Sequence, residues 1–502
     1  MSSHPPFQLF NTLAGKVETL QPQTPNSLRM YSCGPTVYSY AHIGNFRTFL
    51  TADLIVRAAR AIGWDTLYVS NITDVGHLTE DDVADAAGED KMAKALKSKE
   101  GEQFVNVWDL ARYYTDALLS DWQLLNMHEP DVRPRATEHI TQQIDAIAEL
   151  IKKGHAYETE NAVYFDVSSF NDYGKLSGNK SEDQLVEATR DIVVDPDKRN
   201  HRDFALWKKD EKHLMQWYSP FGRGFPGWHI ECSVMSMQYL GTHFDLHGGG
   251  EDLIFPHHEC EIAQAEGLTG EPFADMWVHT RFLQVEGEKM SKSKGNFFSV
   301  RDLTAPKEEG GQQIDPFALR LALISGHYRK PFNFTFKNLK DCARIVERFR
   351  SADELVTSAI SQNEAGDDHL QPRLQAIYNK VLHGLLDDLN TPVAIAAALE
   401  GAKLIHGFKP LNGAAAKSAA QWLEDVNNLL GIYKYDNGGA TDNASDDDPL
   451  AEKVEQLLKD RQDARNARDF ARADAIRDEL DALGIEIKDT PEGPKWSRKL
   501  DV

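Results

Sequence analysis

The stretch SLRMYSCGPTVYSYAHIGNFRTFLTADLIVRAARAIGWDTLYVS, residues 27–70, decides the fold. It begins with a short apolar run, continues through an amphipathic helical segment, and ends with a second β-rich run. Strand, helix and strand at this spacing predict a βαβ unit with two parallel strands. Ligands of such sheets bind in the crevice at the carboxyl ends of the strands, and Cys33 and His42 are expected there.

Outward from this unit, the pattern predicts a Rossmann-type α/β sheet built from discontinuous sequence. Residues 126–225 change to hairpin-like segments and are interpreted as an insertion. The parallel pattern resumes in THFDLHGGGEDLIFPHHECEIAQAEG, residues 242–267, as a strand that runs into a glycine loop and then a helix opened by Pro256. Apolar residues at helical spacing from about 336 onward predict a helical bundle, with one helix starting at Thr391 and Pro392.

The predicted organisation has seven segments. The two halves of the sheet domain are 1–125 and 226–275, separated by the insertion at 126–225. A lysine-rich loop and its surroundings occupy 276–335, and the helical bundle occupies 336–435. The acidic, low-complexity stretch 436–449 is expected to be a linker, because it has almost nothing to bury. A small terminal module with a helical hairpin follows at 450–502.

Composition favours a multidomain cytoplasmic protein. A chain of 502 residues is too long for one core, and its start lacks the features of a secretory signal. No apolar run is long enough to cross a membrane, so no membrane partner is expected. Four scattered cysteines favour free thiols over a disulfide scaffold. The net charge of −23 argues against indiscriminate nucleic-acid binding, so a polynucleotide partner needs local basic patches. Such patches occur at Arg329, Lys330, Lys337, Lys340, Arg344, Arg348 and Arg350, and again at Arg461, Arg465, Arg468 and Arg472.

The strongest local signal is GEKMSKSKGN, residues 287–296, in which Lys289, Lys292 and Lys294 alternate with serines. The segment is too polar to be core, and mobile ammonium groups there can hold the charge of a triphosphate under attack. A solvated lysine loop is the simpler alternative. The full string Lys-Met-Ser-Lys-Ser favours function.

Two glycine-containing motifs predict the rest of a nucleotide site. In His42-Ile43-Gly44-Asn45, a histidine near a helix N-terminus can donate to phosphate, and Gly44 lets the nucleotide approach the backbone. In HGGGED, residues 247–252, glycines placed after a strand let adenine and ribose lie close to the main chain. Each motif alone is more often a cap or a flexible turn.

The cysteines predict a metal site. Cys33 and Cys232 are expected at separate strand ends, and the helix after Pro256 adds His257 and Glu261, which share a face at i and i+4. These four would close a tetrahedral zinc site. His258 and Cys260 are expected to point elsewhere, although a set that uses either of them remains an alternative. Packing alone is an alternative for Cys260 and Cys342.

Together these motifs resemble class I aminoacyl-tRNA synthetases, which carry His-Ile-Gly-His early and Lys-Met-Ser-Lys-Ser late. Asn45 departs from that pattern, because its amide can donate a hydrogen bond but cannot carry charge. The resemblance narrows to the cysteinyl-tRNA synthetase family and covers nearly the whole chain. It rests on the strings SCGPTVYSYAHIGN, GWHIECS, HGGGEDLIFPHHECEIAQ, WVHTRFLQVEGEKMSKSKGN and LNTPVAIAAAL.

The resemblance implies a cysteine–tRNA ligase activity with named site residues. The resemblance assigns catalytic roles to His42, Lys289 and Lys292, and it places Trp228 at the side of the cysteine pocket. ATP binding falls on His42, Gly44, Asn45, Gly249, Gly250 and Lys292. One zinc ion per chain would be bound by Cys33, Cys232, His257 and Glu261, with Cys260 incidental.

The same resemblance implies cofactors, partners and tRNA-binding regions. Magnesium would accompany ATP, and the partners would be tRNA(Cys), ATP and L-cysteine, with a monomeric enzyme. The bundle and the terminal module would bind tRNA, the latter through anticodon contacts. The terminal arginines would meet phosphates or bases, and Trp496 would stack on a base or pack locally.

Two other functions are alternatives to this one. A cysteine:amino-sugar ligase of the mycothiol type would share the catalytic half but lack the tRNA-binding tail. A zinc-containing RNA-binding paralogue without catalysis would show a damaged lysine loop, whereas KMSKS is intact.

Overall fold

A computed structural model describes most of the chain in two units, Met1–Tyr433 and Lys434–Val502. The described residues are 4–76, 78–80, 87–178, 198–291, 294–362, 368–436, 456–461, 464, 469, 472–473, 475–477, 480, 485–490 and 493–498.

Among the described residues of the first unit, the strands fall in five small sheets. They are β1 (Gln8–Asn11), β2 (Lys16–Thr19), β3 (Ser27–Ser32), β4 (Asp65–Ser70), β5 (Leu78–Glu80), β6 (Ala87–Asp90), β7 (Ala156–Glu158), β8 (Ala162–Phe165), β9 (Phe204–Lys208), β10 (Phe225–Pro226), β11 (Phe244–Gly250), β12 (Ala274–Thr280), β13 (Leu283–Val285), β14 (Glu288–Lys289) and β15 (Phe332–Phe334).

The helices of the first unit surround these sheets and continue into a bundle. They are α1 (Ile43–Ala61), α2 (Lys91–Leu96), α3 (Val107–Leu124), α4 (Ile140–Lys153), α5 (Trp228–Leu240), α6 (Glu259–Thr269), α7 (Val300–Thr304), α8 (Pro316–Ile324), α9 (Phe336–Gln362), α10 (Gln371–Leu386), α11 (Thr391–Gly407) and α12 (Gly413–Leu430).

The central sheet has the strand order β12–β11–β3–β4, and every pair in it is parallel. β3 pairs with β4 on one side and with β11 on the other, with Tyr31 opposite both Val69 and His247. The predicted βαβ unit is therefore confirmed, and the sheet joins segments about 200 residues apart, as expected. A crevice forms where the carboxyl ends of β3 and β11 lie side by side.

Strands β7 to β10 form an antiparallel sheet with the order β10–β9–β8–β7, and this sheet packs against α4, α5 and α6. One buried cluster joins Ile147 and Leu150 of α4, Phe165 and Trp207 of this sheet, and Ile230 of α5. Glu259, at the start of α6, accepts hydrogen bonds from the backbone N–H groups of Gly174, Leu176 and Ser177. The inserted sheet thus fixes the position of both helices that border the crevice.

A buried charge network ties α1 to α8 and to the end of the bundle. Asp53 lies between Arg57, at 2.8 Å, and Arg320, at 2.5 Å, and all three side chains are fully buried. Arg57 also donates to the carbonyl of Asn428, and Arg320 donates to that of Leu430. The end of the last bundle helix is therefore anchored by cations that Asp53 neutralises.

The bundle consists of α9 to α12, and its predicted helical character is confirmed. The helix predicted to start at Thr391 and Pro392 does begin at Thr391, and Asn390 is its N-cap. Two arginines of the basic patch between residues 329 and 350 form ion pairs within the first unit. Arg329 pairs with Asp388 at 2.5 Å, and Arg350 pairs with Asp315.

The second unit combines helical residues with a hairpin that the sequence interpretation did not include. Residues 456–461 are helical, and β16 (Ile485–Thr490) pairs antiparallel with β17 (Gly493–Arg498). Arg461 is buried and Arg472 is exposed, whereas Arg465 and Arg468 lie outside the described residues. The predicted linker also lies outside them, except for Asp436. Over the described ranges, no helix is long and apolar enough to cross a bilayer.

Replacement of Asp53 by asparagine should destabilise the first unit by about 3–5 kcal/mol, because two buried guanidinium groups lose their counter-charge. Burial opposes ionisation of Asp53, but Arg57 and Arg320 outweigh it and hold the pKa of Asp53 well below its usual range. Its contribution is therefore complete above about pH 4 and is lost as the pH falls further.

Urea unfolding of wild type and Asp53→Asn at several pH values measures this loss. The matched control is Glu400→Gln, which removes an exposed ion pair with Lys380. It should leave the urea concentration at the midpoint of unfolding unchanged. A stability loss for Asp53→Asn no larger than the control's would contradict the anchoring role.

Candidate active site and metal centre

The carboxyl ends of β3 and β11 border a cleft of about 340 Å³. The loop from β3 to α1 supplies Cys33 and His42, and the end of β11 supplies Gly250. Trp228, the first residue of α5, and Phe297, just beyond the lysine segment, complete the walls. The crevice predicted from the βαβ pattern therefore exists and contains both residues expected there.

Four buried side chains converge beside this cleft. The ligand atoms of Cys33, Cys232, His257 and Glu261 all lie within 4.8 Å of one another. The Sγ atoms of Cys33 and Cys232 are 3.8 Å apart, and Cys33 Sγ is 3.5 Å from Glu261 Oε1. His257 Nε2 lies 3.0 Å from the same carboxylate oxygen. The structure thus brings together the four residues that the sequence pattern singled out.

The position of Cys232 differs from the expectation. The prediction of a strand end is wrong, because Cys232 lies inside α5 and only Cys33 follows a strand. The segment WHIECSVMSMQYL is apolar on most faces and buried, and a short apolar run does not distinguish a buried helix from a strand.

A second set of potential ligands shares part of this cluster. His247 and His258 also form a compact group with Cys33 and Glu261. His258 Nε2 is 3.5 Å from Cys33 Sγ, so the expectation that His258 points elsewhere is wrong. The cause is local, because residues 254–258 do not form a regular α-helix and Phe255 has extended backbone angles. Cys260 does point away, toward the Tyr173 hydroxyl at 3.5 Å.

The first set fits zinc better than the second. Two sulfur ligands of a tetrahedral ion with Zn–S bonds of about 2.3 Å lie about 3.8 Å apart, which is the observed Sγ–Sγ distance. The first set offers two soft sulfurs and the second only one, and thiolates favour zinc. His258 also packs against β11, because a Cβ atom placed on Gly249 of that strand would lie 2.6 Å from the His258 ring.

The protonation equilibria of the cluster suit a bound cation. Burial raises the pKa of Glu261, but His247 and His257 outweigh this effect and bring the pKa of Glu261 down to about 2. Burial also opposes the Cys232 thiolate, yet its hydrogen bond with Cys33 and the charge of His257 lower the pKa of Cys232 to about 6. Burial raises the pKa of Cys33 well above its usual value. Two anionic ligands are thus favoured. Burial opposes the charged form of His257, but Glu261 and Cys232 outweigh it and raise the pKa of His257 to about 10, so both Cys33 and His257 would release a proton when a cation binds.

Further histidines orient these ligands. His247 Nε2 lies 2.9 Å from Glu261 Oε2, so both oxygens of the carboxylate have nitrogen partners. His257 Nδ1 lies 2.9 Å from His229 Nδ1, which turns His257 Nε2 toward the cluster. Sequence reasoning gave His229 and His247 no role. Their only signal was their position in GWHIECS and HGGGED, beside residues already chosen.

The start of α1 is fixed by a reciprocal cap. The Asn45 N–H donates to His42 Nδ1, and the His42 N–H donates to the Asn45 side-chain oxygen, both at 3.1 Å. Acceptance at Nδ1 places the proton of a neutral His42 ring on Nε2. Asn45 therefore has a structural role that its amide performs without charge.

The lysine segment packs against this helix start. A Cβ on Gly44 would lie 2.9 Å from the His42 ring and from the methyl group of Met290, so a larger residue would displace one or both of them. The Phe297 ring meets His42 edge-on at 5.1 Å, and Ile43 N–H donates to the Phe298 carbonyl. Lys289 lies in β14 and its side chain is exposed, whereas Lys292 lies outside the described residues.

The glycines of HGGGED do not follow a strand as predicted, because Gly248, Gly249 and Gly250 are the last residues of β11. Gly250 and Asp252 line the cleft, and a Cβ on Gly250 would lie 2.3 Å from the Asp252 carboxylate. The space beside Gly249 is filled by the His258 ring, so this glycine is required by a protein contact and not by a ligand. Trp228 lies 4.2 Å from the His257 ring, between the cleft and the cluster.

Comparison with known families identifies the chain. A family profile described as "tRNA synthetases class I (C) catalytic domain" matches residues 19–344, and one described as "Cysteinyl-tRNA ligase anticodon binding domain" matches residues 447–496. The cysteine–tRNA ligase of Salinibacter ruber is 57% identical over 99% of both chains. That of Chlorobaculum tepidum is 41% identical over 98% of this chain and 99% of its own. The chain belongs to the cysteine–tRNA ligase family.

Cysteine–tRNA ligase is therefore the activity of this chain, an ATP-dependent aminoacyl-tRNA ligase, and the predicted function is confirmed. The amino-sugar ligase alternative is not favoured, because the match includes the anticodon-binding domain. A solved methionyl-tRNA synthetase of Mycobacterium tuberculosis, bound to methionyl-adenylate, superposes with a TM-score of 0.55 at 14% identity. It covers 81% of this chain and 92% of its own, which confirms the predicted class I fold.

Metal content should distinguish the two ligand sets. Cys232→Ala should lose stoichiometric zinc, because it removes a thiolate found only in the first set. His258→Asn should retain close to one zinc per chain, with affinity reduced by at most about 10- to 100-fold as for an outer-shell residue. Atomic emission after gel filtration measures the zinc content of each variant, and a chelator titration measures its zinc affinity. Zinc retained by Cys232→Ala but lost by His258→Asn would favour the second set.

Proposed function

We propose that the cleft binds cysteine and ATP side by side, with the thiol at the buried cluster and the phosphates near His42. One observation supports this arrangement above the others: Cys33 of the cluster and His42 at the start of α1 line the same cleft. The amino acid's carboxylate would then lie between the two, facing the α-phosphorus. Trp228 forms the wall beside the thiol.

The residues at the thiol end fit one zinc ion, with Cys33, Cys232, His257 and Glu261 as its ligands. When bound, zinc supplies a preference for a thiolate over a hydroxyl, and it lowers the pKa of a thiol that it binds. The small shape difference between cysteine and serine would give a pocket only about 1–3 kcal/mol of discrimination. The cluster therefore accounts for selectivity without a separate editing site.

The first chemical step requires positioning and charge stabilisation from the protein. The substrate carboxylate attacks the α-phosphorus of ATP, a new P–O bond forms, and the bond to the β-phosphate breaks as pyrophosphate leaves. His42 Nε2–H can donate to a phosphate oxygen from a helix N-terminus, where the dipole favours anions. Asn45 and Gly250 line the cleft and would border the nucleotide, with Gly44 and Gly249 beside them in the chain, and magnesium would accompany the phosphates.

We expect the ammonium groups of Lys289 and Lys292 to stabilise the negative charge that builds up on the phosphate oxygens as the α-phosphorus becomes five-coordinate. Support comes from the packing of the lysine segment, because Met290 and Phe297 contact the turn that carries His42 and Gly44. These contacts hold Met290 and Phe297, on either side of Lys292, next to the start of α1, where the phosphates are expected. This is electrostatic stabilisation with no covalent enzyme intermediate.

In the second step, the 2′-hydroxyl of the terminal adenosine of tRNA(Cys) attacks the adenylate carbonyl, and AMP leaves. The bundle at 336–435 and the terminal module at 450–502 would hold the rest of the tRNA, with 276–335 near its stem. Within the terminal module, the exposed Arg472 is a better candidate for RNA contact than the buried Arg461. A monomeric, cytoplasmic enzyme remains the prediction.

The direct test is ATP-dependent attachment of labelled cysteine to unfractionated tRNA, with serine and an amino-sugar acceptor in parallel. Base-labile label on tRNA with cysteine, and none with serine, is the expected result. Label on the amino sugar alone would contradict the assignment.

Two lysines of the same segment provide a matched pair of variants for the first step. Lys289→Ala should lower the rate of cysteine-dependent ATP–pyrophosphate exchange by about 100-fold, since it removes a charge that acts in the transition state. Lys294→Ala should retain most of the rate, because Lys294 pairs with Glu288 at 2.8 Å on the surface. Equal losses in the two variants would show that the segment acts only through its net charge.

A further inference from the structure

Arg301 connects two helices beside the cysteine and ATP cleft. It lies in α7, beyond Phe297, and its side chain contacts α3. The guanidinium Nε lies 3.3 Å from the Asp121 carboxylate, and Nη2 donates to the Ala117 carbonyl at 3.4 Å. The guanidinium also lies 5.3 Å from the centre of the Tyr40 ring. None of the roles assigned above uses Arg301, which does not line the cleft.

The position of α7 matters because the residues that lead into it pair with the start of α1. Ser299, the N-cap of α7, forms a β-bridge with His42. The Phe298 carbonyl accepts a hydrogen bond from the Ile43 N–H, and the Phe297 ring packs on His42. The backbone that leaves the lysine segment is therefore attached to the turn that carries His42 and, through α7, to α3.

Asp121 differs from the partners of most surface arginines because it is buried. The side chain of Asp121 is 2% exposed, whereas that of Arg301 is 39% exposed. Within the part of the chain that the structure describes, Asp121 Oδ2 has no hydrogen-bond partner. A buried carboxylate with a free oxygen costs folding free energy, so the pair is better suited to fixing one arrangement of α3 and α7 than to stabilising the fold.

The charge of Asp121 changes near neutral pH. Burial raises the pKa of Asp121 to about 7, Arg301 counteracts this effect, and Asp302 adds to it. Among the described residues, these two side chains of α7 are the charged groups that act on Asp121, and Tyr40, from the loop between β3 and α1, faces the pair through Arg301. Asp121 is therefore mainly neutral below about pH 7 and mainly ionised above it, and its contact with Arg301 strengthens as the pH rises.

We propose that Arg301 is a positioning residue for the first step, which holds the end of the lysine segment on the turn of His42 by binding Asp121 and the backbone of α3. The inference rests on the proposed function, in which His42 and the lysine segment act together on the phosphates. Arg301 lies outside the cleft and acts through the backbone that precedes α7. Its planar fork can serve a carboxylate and a carbonyl together, which a lysine cannot do equally well.

Cysteine-dependent ATP–pyrophosphate exchange on the full-length, zinc-loaded enzyme tests the proposal without tRNA. Arg301→Met should lower kcat about tenfold, but leave the KM for cysteine within about twofold of wild type, because the thiol end of the cleft is intact. Arg301→Lys keeps the charge and should recover kcat to within about threefold of wild type. The matched control is Arg112→Met, which removes an arginine of α3 that lies 3.3 Å from Asp109, an exposed carboxylate. It should behave as wild type.

The pH profile distinguishes positioning from a purely structural role. Asp121→Asn resembles the neutral acid, so its exchange rate should lie within about twofold of wild type at pH 6 and fall to about a fifth of wild type at pH 8. The ratio of the two rates cancels the other groups that titrate in this range. In the Arg301→Met background, Asp121→Asn should cause no further loss at either pH, because the partner is already absent.

Full exchange activity in Arg301→Met would overturn the proposal. So would a ratio of wild-type to Asp121→Asn rates that does not change with pH, or a raised KM for cysteine in place of a lowered kcat. Failure of Arg301→Lys to recover activity, with a lower urea midpoint of unfolding in both Arg301 variants, would show a purely structural role and would also overturn it. Absence of exchange in the wild type would instead overturn the proposed function.

Discussion

The Glu261 carboxylate is the group on which the rest of the site depends. It is fully buried, and one oxygen faces His247 while the other faces His257 and Cys33. A buried anion of this kind is costly unless hydrogen-bond donors or cationic groups pair with it, so β11 and the segment that enters α6 must bring His247 and His257 to this one carboxylate. The insertion maintains this arrangement, because its sheet packs on α5 and three backbone N–H groups between β8 and β9 donate hydrogen bonds to Glu259 at the start of α6. The insertion therefore stabilises the site although it contributes none of the four ligands.

The nucleotide end of the cleft depends on a different constraint, the turn that starts α1. His42 and Asn45 cap each other, Gly44 leaves room for Met290, and Phe297 packs on His42. Through these contacts the lysine segment and the helix N-terminus form one structural feature. Phe297 also lines the cleft, so the end of the lysine segment borders the space proposed for cysteine and ATP.

The sequence predicted the features that depend on local pattern. The βαβ unit followed from apolar runs at fixed spacing, and the α9–α12 bundle followed from helical periodicity. It predicted less where tertiary context decides. Cys232 was placed at a strand end because a short buried helix and a strand share an apolar composition. His258 was expected to point away because a regular helix was assumed, whereas Phe255 interrupts it. The roles of His229 and His247 depend on contacts between different segments, and no pattern within one segment indicates them.

X-ray absorption at the zinc edge, recorded on the purified enzyme before and after addition of cysteine or serine, tests the central claim most directly. The claim is that Cys33, Cys232, His257 and Glu261 hold a zinc ion that recognises the substrate thiol. The account predicts two sulfur neighbours in the free enzyme, a third on addition of cysteine, and no change with serine. A sulfur count that cysteine does not alter, or a spectrum with one sulfur in the free enzyme, would contradict it.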